Sequence, residues 1–185
     1  MNLARALAIE TGYMSQPEMV WLAEQAYAHQ CIAEVGSWTG RSTRAMADNT
    51  KGVIWAIDTW EGSTNGDLQD IIAAKGARWP FEEFRRNMED CPNVYVQRAR
   101  SLVAAKSFKP GTFDLVFIDA SHDYNSVAND IRAWQGLLRS GGMLAGHDYC
   151  PERWPGVKKA VDELCPDRRT MEPNNGDRSI WWTLR

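Results

Sequence analysis

Cys31-Ile-Ala-Glu34-Val35-Gly36-Ser-Trp-Thr-Gly40 opens as a buried strand over Cys31 to Val35 and breaks at a glycine-bounded turn, Gly36 to Gly40. A helix opens behind the turn, over Ser42 to Ala47. Val53 to Ile57 is a second apolar strand, closed by Asp58. A short apolar run that passes through a tight turn into a helix, and then into another run, is a βαβ unit. Outward from it the same alternation continues, and repeated βαβ units make a parallel sheet covered by helices.

Upstream, Ser15-Gln16-Pro17-Glu18 is a capping box with Pro in the first turn. Met19, Leu22, Ala23 and Ala26 follow as an apolar stripe at helical spacing. Residues 1–30 therefore form a helical arm, a candidate for a dimer contact or for a lid over the site. Downstream, Glu61 to Asp90 is a long polar insert between strands two and three, with short helices over Ile71 to Ala74 and Phe81 to Met88. Val94 to Val96 is the third strand, and Asp114 to Asp119 is the fourth and strongest. Tyr124 to Leu138 is a helix with Asp123 at its N-cap, and Val127, Ile131, Trp134 and Leu138 share one face. Gly141-Gly142 ends that helix, and Met143 to Gly146 is the fifth strand. Pro155 starts another helix, with Val157, Ala160, Val161 and Leu164 inward. Arg169 to Met171 and Ser179 to Leu184 close the chain as a pair of strands. The expected fold is α/β, one Rossmann-like three-layer sandwich over residues 1–185. Its seven-stranded sheet is mostly parallel, with an antiparallel strand near the C-terminus.

The composition agrees. Among 185 residues, 44% are hydrophobic and 24% are charged, values of an ordinary globular chain. Lys and Arg total 21 against 24 Asp and Glu, a net charge of −3, and the basic pairs Arg85-Arg86, Lys158-Lys159 and Arg168-Arg169 are scattered. That lacks the positive footprint that a phosphate backbone requires, so nucleic acid is not an expected partner. No apolar run approaches the roughly 20 residues of a membrane span. Glu10 interrupts the N-terminal apolar stretch, which does not read as a signal peptide. The four cysteines (Cys31, Cys91, Cys150, Cys165) are far apart and form no C-x-x-C pair. Free thiols in a cytoplasmic protein are the expectation.

In an open parallel sheet, ligands bind beyond the carboxyl ends of the strands. Glu34, Asp58, Asp119 and Asp148 stand at the ends of strands one, two, four and five, and two of the three histidines, His122 and His147, are there too. Clustered carboxylates with no obvious partner point to a bound ligand or ion. The turn after strand one is G-x-x-x-G, not the G-x-G-x-x-G of a dinucleotide site. Its backbone N–H groups suit an anion such as a carboxylate. Asp58 is placed to accept both hydroxyls of a ribose. Glu34 adds a negative charge beside the loop. A nucleoside carrying a cationic group and an amino-acid tail satisfies all three features.

These stretches are also similar to a known family. Glu34-Val-Gly-Ser-Trp-Thr-Gly40-Arg-Ser42 and Ile57-Asp58-Thr-Trp60 resemble the first two motifs of class I S-adenosylmethionine-dependent methyltransferases. Ile118-Asp119-Ala-Ser-His122-Asp-Tyr, Gly141-Gly-Met-Leu-Ala-Gly-His147-Asp148-Tyr and Pro155-Gly156-Val157 resemble the small-molecule branch of macrocin O-methyltransferase-like and cephalosporin hydroxylase-like proteins. The resemblance implies an enzyme that methylates a small molecule at a hydroxyl. It implies that Glu34, Gly36, Ser37, Trp38, Gly40 and Ser42 hold the methionine end of the cofactor. Asp58 would bind the ribose, with Thr59 and Trp60 beside the adenosine, Arg100 and Ser101 near the adenine, and Asp119 at the reacting end.

In metal-dependent relatives, carboxylates at the ends of strands four and five hold a divalent ion. By that resemblance Asp119 and Asp148 are ligands for Mg²⁺, Mn²⁺ or Zn²⁺, with His122 as the base that receives the hydroxyl proton. His147 departs from the pattern, because many relatives carry a second carboxylate there. An imidazole ligand shifts preference toward softer ions. The competing readings are a metal-independent methyltransferase, a cofactor-binding module without turnover, a non-haem iron hydroxylase and a nicotinamide-dependent oxidoreductase. Of the nine tryptophans, Trp21 and Trp134 fall on helix faces as core, whereas Trp60, Trp79 and Trp154 are candidates for walls of the pocket.

Overall fold

The computed structural model describes residues 1–62, 66–171 and 179–185. Its elements run α1 (Ala4–Ala8), α2 (Gln16–Ala28), β1 (Cys31–Val35), α3 (Arg41–Ala47), β2 (Val53–Asp58), α4 (Gly66–Lys75), α5 (Trp79–Asn87), β3 (Val94–Arg98), α6 (Ser101–Ala105), β4 (Phe113–Ile118), α7 (Tyr124–Gln135), β5 (Leu138–Gly146), α8 (Pro155–Leu164), β6 (Arg169–Thr170) and β7 (Trp181–Leu184). The strands make one sheet in the order β3-β2-β1-β4-β5-β7-β6. Pairing is parallel from β3 through β5, and β7 runs antiparallel to both β5 and β6. This is the mixed, mostly parallel, seven-stranded Rossmann-like sheet that the alternation predicted. The insert holds α4 and α5, and its residues 63–65 lie outside the described residues.

Successive side chains of a strand point to opposite faces. Ile32, Leu115 and Phe117 face one layer, where Met19, Leu22 and Ala23 of α2, Met46 of α3 and Phe84 of α5 cover them. Ala33, Val35, Val116 and Ile118 face the other, against Ala104 of α6, Val127, Ile131 and Trp134 of α7, and Val161 of α8. Every residue of β4 is buried, as a strand covered on both faces requires. Truncating Phe117 to Ala would cost about 3–5 kcal/mol by the usual scale for buried aromatic rings. At the N-terminal end of β4, buried Asp114 accepts N–H bonds from Gln30 (2.8 Å) and Cys31 (2.9 Å), which ties the start of β1 to its neighbour. No helix among the described residues is long and apolar enough to cross a membrane.

Two expectations change. The helix expected through Leu138 ends at Gln135, and β5 already begins at Leu138, opposite Phe113. Gly141-Gly142 therefore lies inside β5, where the register shifts between Phe113 and Leu115, instead of ending a helix. Helical periodicity continued past the point where strand pairing took over. The segment after β3, for which no element was expected, forms the short helix α6.

The register sets the site. Val35 lies beside both Ile57 and Ile118, and Ile118 lies beside Gly146. Gly36, Asp58, Asp119 and His147 therefore leave the sheet along one edge. The strand order reverses between β1 and β4, the switch point at which open α/β sheets bind ligands.

Candidate active site

The loop after β1 is built around a close approach. Gly36 has φ +97°, and a Cβ there would lie 2.0 Å from the carbonyl oxygen of Asp119. Only glycine fits both the backbone and the space. Asp58 then organises two loops at once. Its Oδ2 accepts the N–H of Trp38 (2.8 Å) and its Oδ1 the N–H of Trp60 (2.7 Å). Both tryptophans sit in the left-handed region, at φ 44° and 57°. Such strain persists where surrounding bonds over-determine it, and it clusters at functional sites. Burial raises the Asp58 carboxyl, against the pull of these N–H groups. Trp60 does not wall a pocket: its ring is fully buried against Phe81 and Phe84, and its indole N–H donates to the Trp38 carbonyl (2.6 Å).

Glu34 is fully buried. Its Oε2 accepts the Thr43 hydroxyl, while its Oε1 and the nearby Ser37 Oγ are buried without a hydrogen-bond partner. Burial pushes the Glu34 carboxyl up to about 7, although the hydroxyls of Ser42 and Thr43 pull it down. Unsatisfied polar atoms of this kind are uncommon in protein interiors, and a bound ligand is one explanation for them.

At the ends of β4 and β5 the charged groups converge. His122 Nε2 is 2.8 Å from Asp148 Oδ2. One ligand atom each from Asp119, His122 and Asp148 lies within 4.8 Å of the others. His147 does not join that group. Its Nε2 is 3.0 Å from Glu18 Oε1, and its Nδ1 faces Asp148 Oδ2 (3.4 Å) and Asp119 Oδ1 (3.8 Å). Burial opposes charge on His147, yet Asp119, Asp148 and Glu18 outweigh it and raise its pKa well above the ordinary value. Burial pushes Asp119 up to about 6, with His147 opposing and Asp148 adding to the rise. Burial also acts to raise Asp148, but its bonds to His122 and His147 hold it well below the usual carboxylate range. Asp148 has φ 61°, a further left-handed residue at this edge. The ring of His122 stacks on Trp154 with centroids 3.9 Å apart. The loop holding His122 is fixed from below by Gly156, where a Cβ would lie 2.6 Å from the His122 carbonyl oxygen.

A cleft of about 230 Å³ opens above these groups. Gly36, Ser37, Trp38, Gly40, Ser42, Asp119, His122, His147 and Asp148 line it, together with Thr11 to Met14, Arg41, Leu68, Arg153 and Trp154. Glu34 lies beneath its loop. Asp58, Thr59, Trp60, Arg100 and Ser101 are not in its wall. Ser101, expected near adenine, donates its hydroxyl to Asp130 (2.5 Å) and accepts the indole N–H of Trp134 (2.8 Å). Arg100 is the residue before α6. Asp123 caps α7 as expected, accepting the Ser126 N–H at 3.0 Å.

Sequence reasoning missed Glu18 as a site residue. Its place in a capping box accounted for it, and that box forms: its Oε2 accepts the Ser15 N–H (2.7 Å) and hydroxyl (2.8 Å). The other oxygen reaches His147, a contact 129 residues away that no local pattern reveals. Arg41 and Arg153 were likewise not singled out.

Comparison with known proteins agrees with this geometry. A family described as a methyltransferase domain matches residues 33–149, and the chain belongs to that family. The fold is shared with cofactor-bound Rv0187 from MTB, at a TM-score of 0.71 and 18% identity over 98% of this chain and 86% of that one. It is shared with the O-methyltransferase TomG of Streptomyces achromogenes, described as involved in tomaymycin synthesis and solved with SAM, at a TM-score of 0.70 and 17% identity over 98% and 85% of the two chains. An O-methyltransferase from Bacillus cereus solved with SAH gives 0.66 and 19%, over 99% and 90%. At such identities the likeness is one of fold. Uncharacterized protein R132 of Acanthamoeba polyphaga mimivirus is 36% identical over 59 residues, 31% of this chain and 27% of that protein, so the match spans about a quarter of that relative. The class expected from the motifs, a class I S-adenosylmethionine-dependent methyltransferase, is borne out.

Proposed function

We propose that the protein methylates a hydroxyl of a small molecule, held over Asp119, His122 and Asp148 in the cleft. The observation that carries this reading is the convergence of a histidine and two carboxylates at the lip of the loop that fits the cofactor. S-adenosylmethionine, when bound, supplies a methyl group on a sulfonium. The unpartnered Glu34 Oε1 and Ser37 Oγ fit the amino-acid end of that cofactor, and burial favours Glu34 as the partner of an ammonium group. Gly36 brings the β1 loop against the end of β4, so donor and acceptor sites adjoin. Holding two reactants in line accounts for much of the rate that such a transfer needs.

Asp119, His122 and Asp148 form a donor set of two carboxylates and one imidazole, which suits Mn²⁺ or Zn²⁺ and also admits Mg²⁺. Such an ion lowers the pKa of a coordinated hydroxyl. A second, metal-free reading has its own observation, the 2.8 Å contact of His122 with Asp148. There Asp148 fixes the imidazole through Nε2, and the opposite ring nitrogen, Nδ1, takes the hydroxyl proton, as in other carboxylate-oriented histidine bases. Four free cysteines accord with a reducing, cytoplasmic setting. The test is product formation from S-adenosylmethionine with a panel of catechols, phenols and sugars, after chelation and again with Mg²⁺, Mn²⁺ or Zn²⁺. Turnover only with added ion supports the metal reading, and turnover of the chelated protein supports the base reading. Tight cofactor binding without turnover on any acceptor would contradict both.

A further inference from the structure

We infer that Glu18, on the N-terminal helix α2, is a positioning residue for the catalytic cluster, acting through His147. The inference rests on the proposed methyl-transfer site, but its geometry is independent of which acceptor is used.

A continuous line of polar contacts crosses the molecule from α2 to the lip of the cleft. The Ser15 N–H and hydroxyl fix Glu18 Oε2 at 2.7 and 2.8 Å. That anchoring leaves Glu18 Oε1 directed at His147 Nε2, 3.0 Å away. The opposite ring nitrogen, Nδ1, then faces Asp148 Oδ2 at 3.4 Å and Asp119 Oδ1 at 3.8 Å. Asp148 Oδ2 in turn meets His122 Nε2 at 2.8 Å. Glu18 and His147 are both almost fully buried, at 3% and 4% exposure. A buried carboxylate is costly without a partner, and capping a helix needs only one of its oxygens. The second oxygen sits where it does one geometric thing: it fixes the plane and orientation of the His147 ring. An imidazole between carboxylates on two sides cannot turn without breaking a contact, so the Asp119 and Asp148 oxygens face a fixed donor. Outer partners of this sort commonly set the orientation of the groups that do the chemistry. The arm is therefore part of the site, and the loop Thr11 to Met14 beside Ser15 forms one wall of the cleft.

The chain has three histidines, which makes the test clean. The imidazole ring signals of Glu18→Gln are compared with wild type in long-range ¹H–¹⁵N spectra, with His122→Gln and His147→Gln used for assignment. His29, whose Nδ1 contacts the Gln25 carbonyl oxygen far from the cleft, is the internal reference. Leu22→Ala, a buried change on the same helix that touches no histidine contact, controls for loosening of α2. The expected result is that Glu18→Gln moves the ring signals of both His147 and His122 and leaves His29 in place, while Leu22→Ala lowers the melting temperature without moving either. A change confined to His147, or an equal change in Leu22→Ala, would overturn the inference. Acceptors found active with wild type give a second readout: turnover falling about 10–100-fold with the KM for S-adenosylmethionine little changed. Calorimetry with S-adenosylmethionine on the same samples keeps the two claims separate. Wild type that binds no cofactor refutes the methyl-transfer reading, whereas an unmoved His122 signal refutes only the role of Glu18.

Discussion

Gly36 and Asp119 meet at the switch point of the sheet, so closely that a single methyl group on Gly36 would overlap the Asp119 carbonyl at 2.0 Å. That contact brings the loop after β1 and the end of β4 into one structure. Gly36→Ala is expected to cost about 1–3 kcal/mol for its left-handed backbone and a similar amount for the overlap. It should also abolish cofactor binding. A urea melt and a calorimetric titration check both, and a near-native midpoint would show that the two loops are not locked together.

Asp58 accepts the N–H groups of two strained tryptophans, Trp38 and Trp60. Asp58→Ala leaves both donors without their acceptor, a loss of about 1–3 kcal/mol for each one that stays buried. The variant should remain folded and lose measurable affinity for S-adenosylmethionine. Unchanged affinity would separate Asp58 from the cofactor.

Asp130 gives a pH signature outside the site. Burial pushes its carboxyl up to about 6 from an ordinary 3.8, against the Ser101 hydroxyl bond. Below about pH 4 the folded and unfolded chains both hold the proton, and the group is neutral to stability. Between about pH 4 and 6 the unfolded chain ionises first, so stability falls as pH rises; above about 6 the full penalty remains. Asp130→Asn should flatten that part of the stability profile and be the more stable protein at pH 7. Chemical denaturation across pH 4–8 measures it, and parallel profiles for the two proteins would contradict the assignment.

Trp154 stacks on His122 and lines the cleft. Trp154→Ala removes that support, worth about 0.5–1.5 kcal/mol beyond the buried area. Turnover should fall while the affinity for cofactor is retained, because the loop from Gly36 to Ser42 is untouched. Steady-state kinetics resolve the two, and an equal loss of cofactor affinity would place Trp154 with the cofactor instead.

Much of this was legible in the sequence, for identifiable reasons. β4 reads as a strand because Leu115 to Ile118 is an unbroken apolar run between Asp114 and Asp119, and the structure buries every residue of it. The four strand-end carboxylates were legible because parallel register brings strand ends level. What escaped was non-local. Leu138 fits a helical stripe by spacing, but pairing with Phe113 takes it into β5. Ser101 looked free for adenine until α6 and α7 brought it to Asp130 and Trp134. The partner of His147 proved to be Glu18, which the capping box had already explained by local rules alone.

The central claim is most directly tested by calorimetric titration of the chelated protein with S-adenosylmethionine, repeated with Asp58→Ala. The account predicts saturable one-site binding to the wild type and none to the variant. Absence of binding to the wild type, with and without Mg²⁺, Mn²⁺ or Zn²⁺, would contradict it.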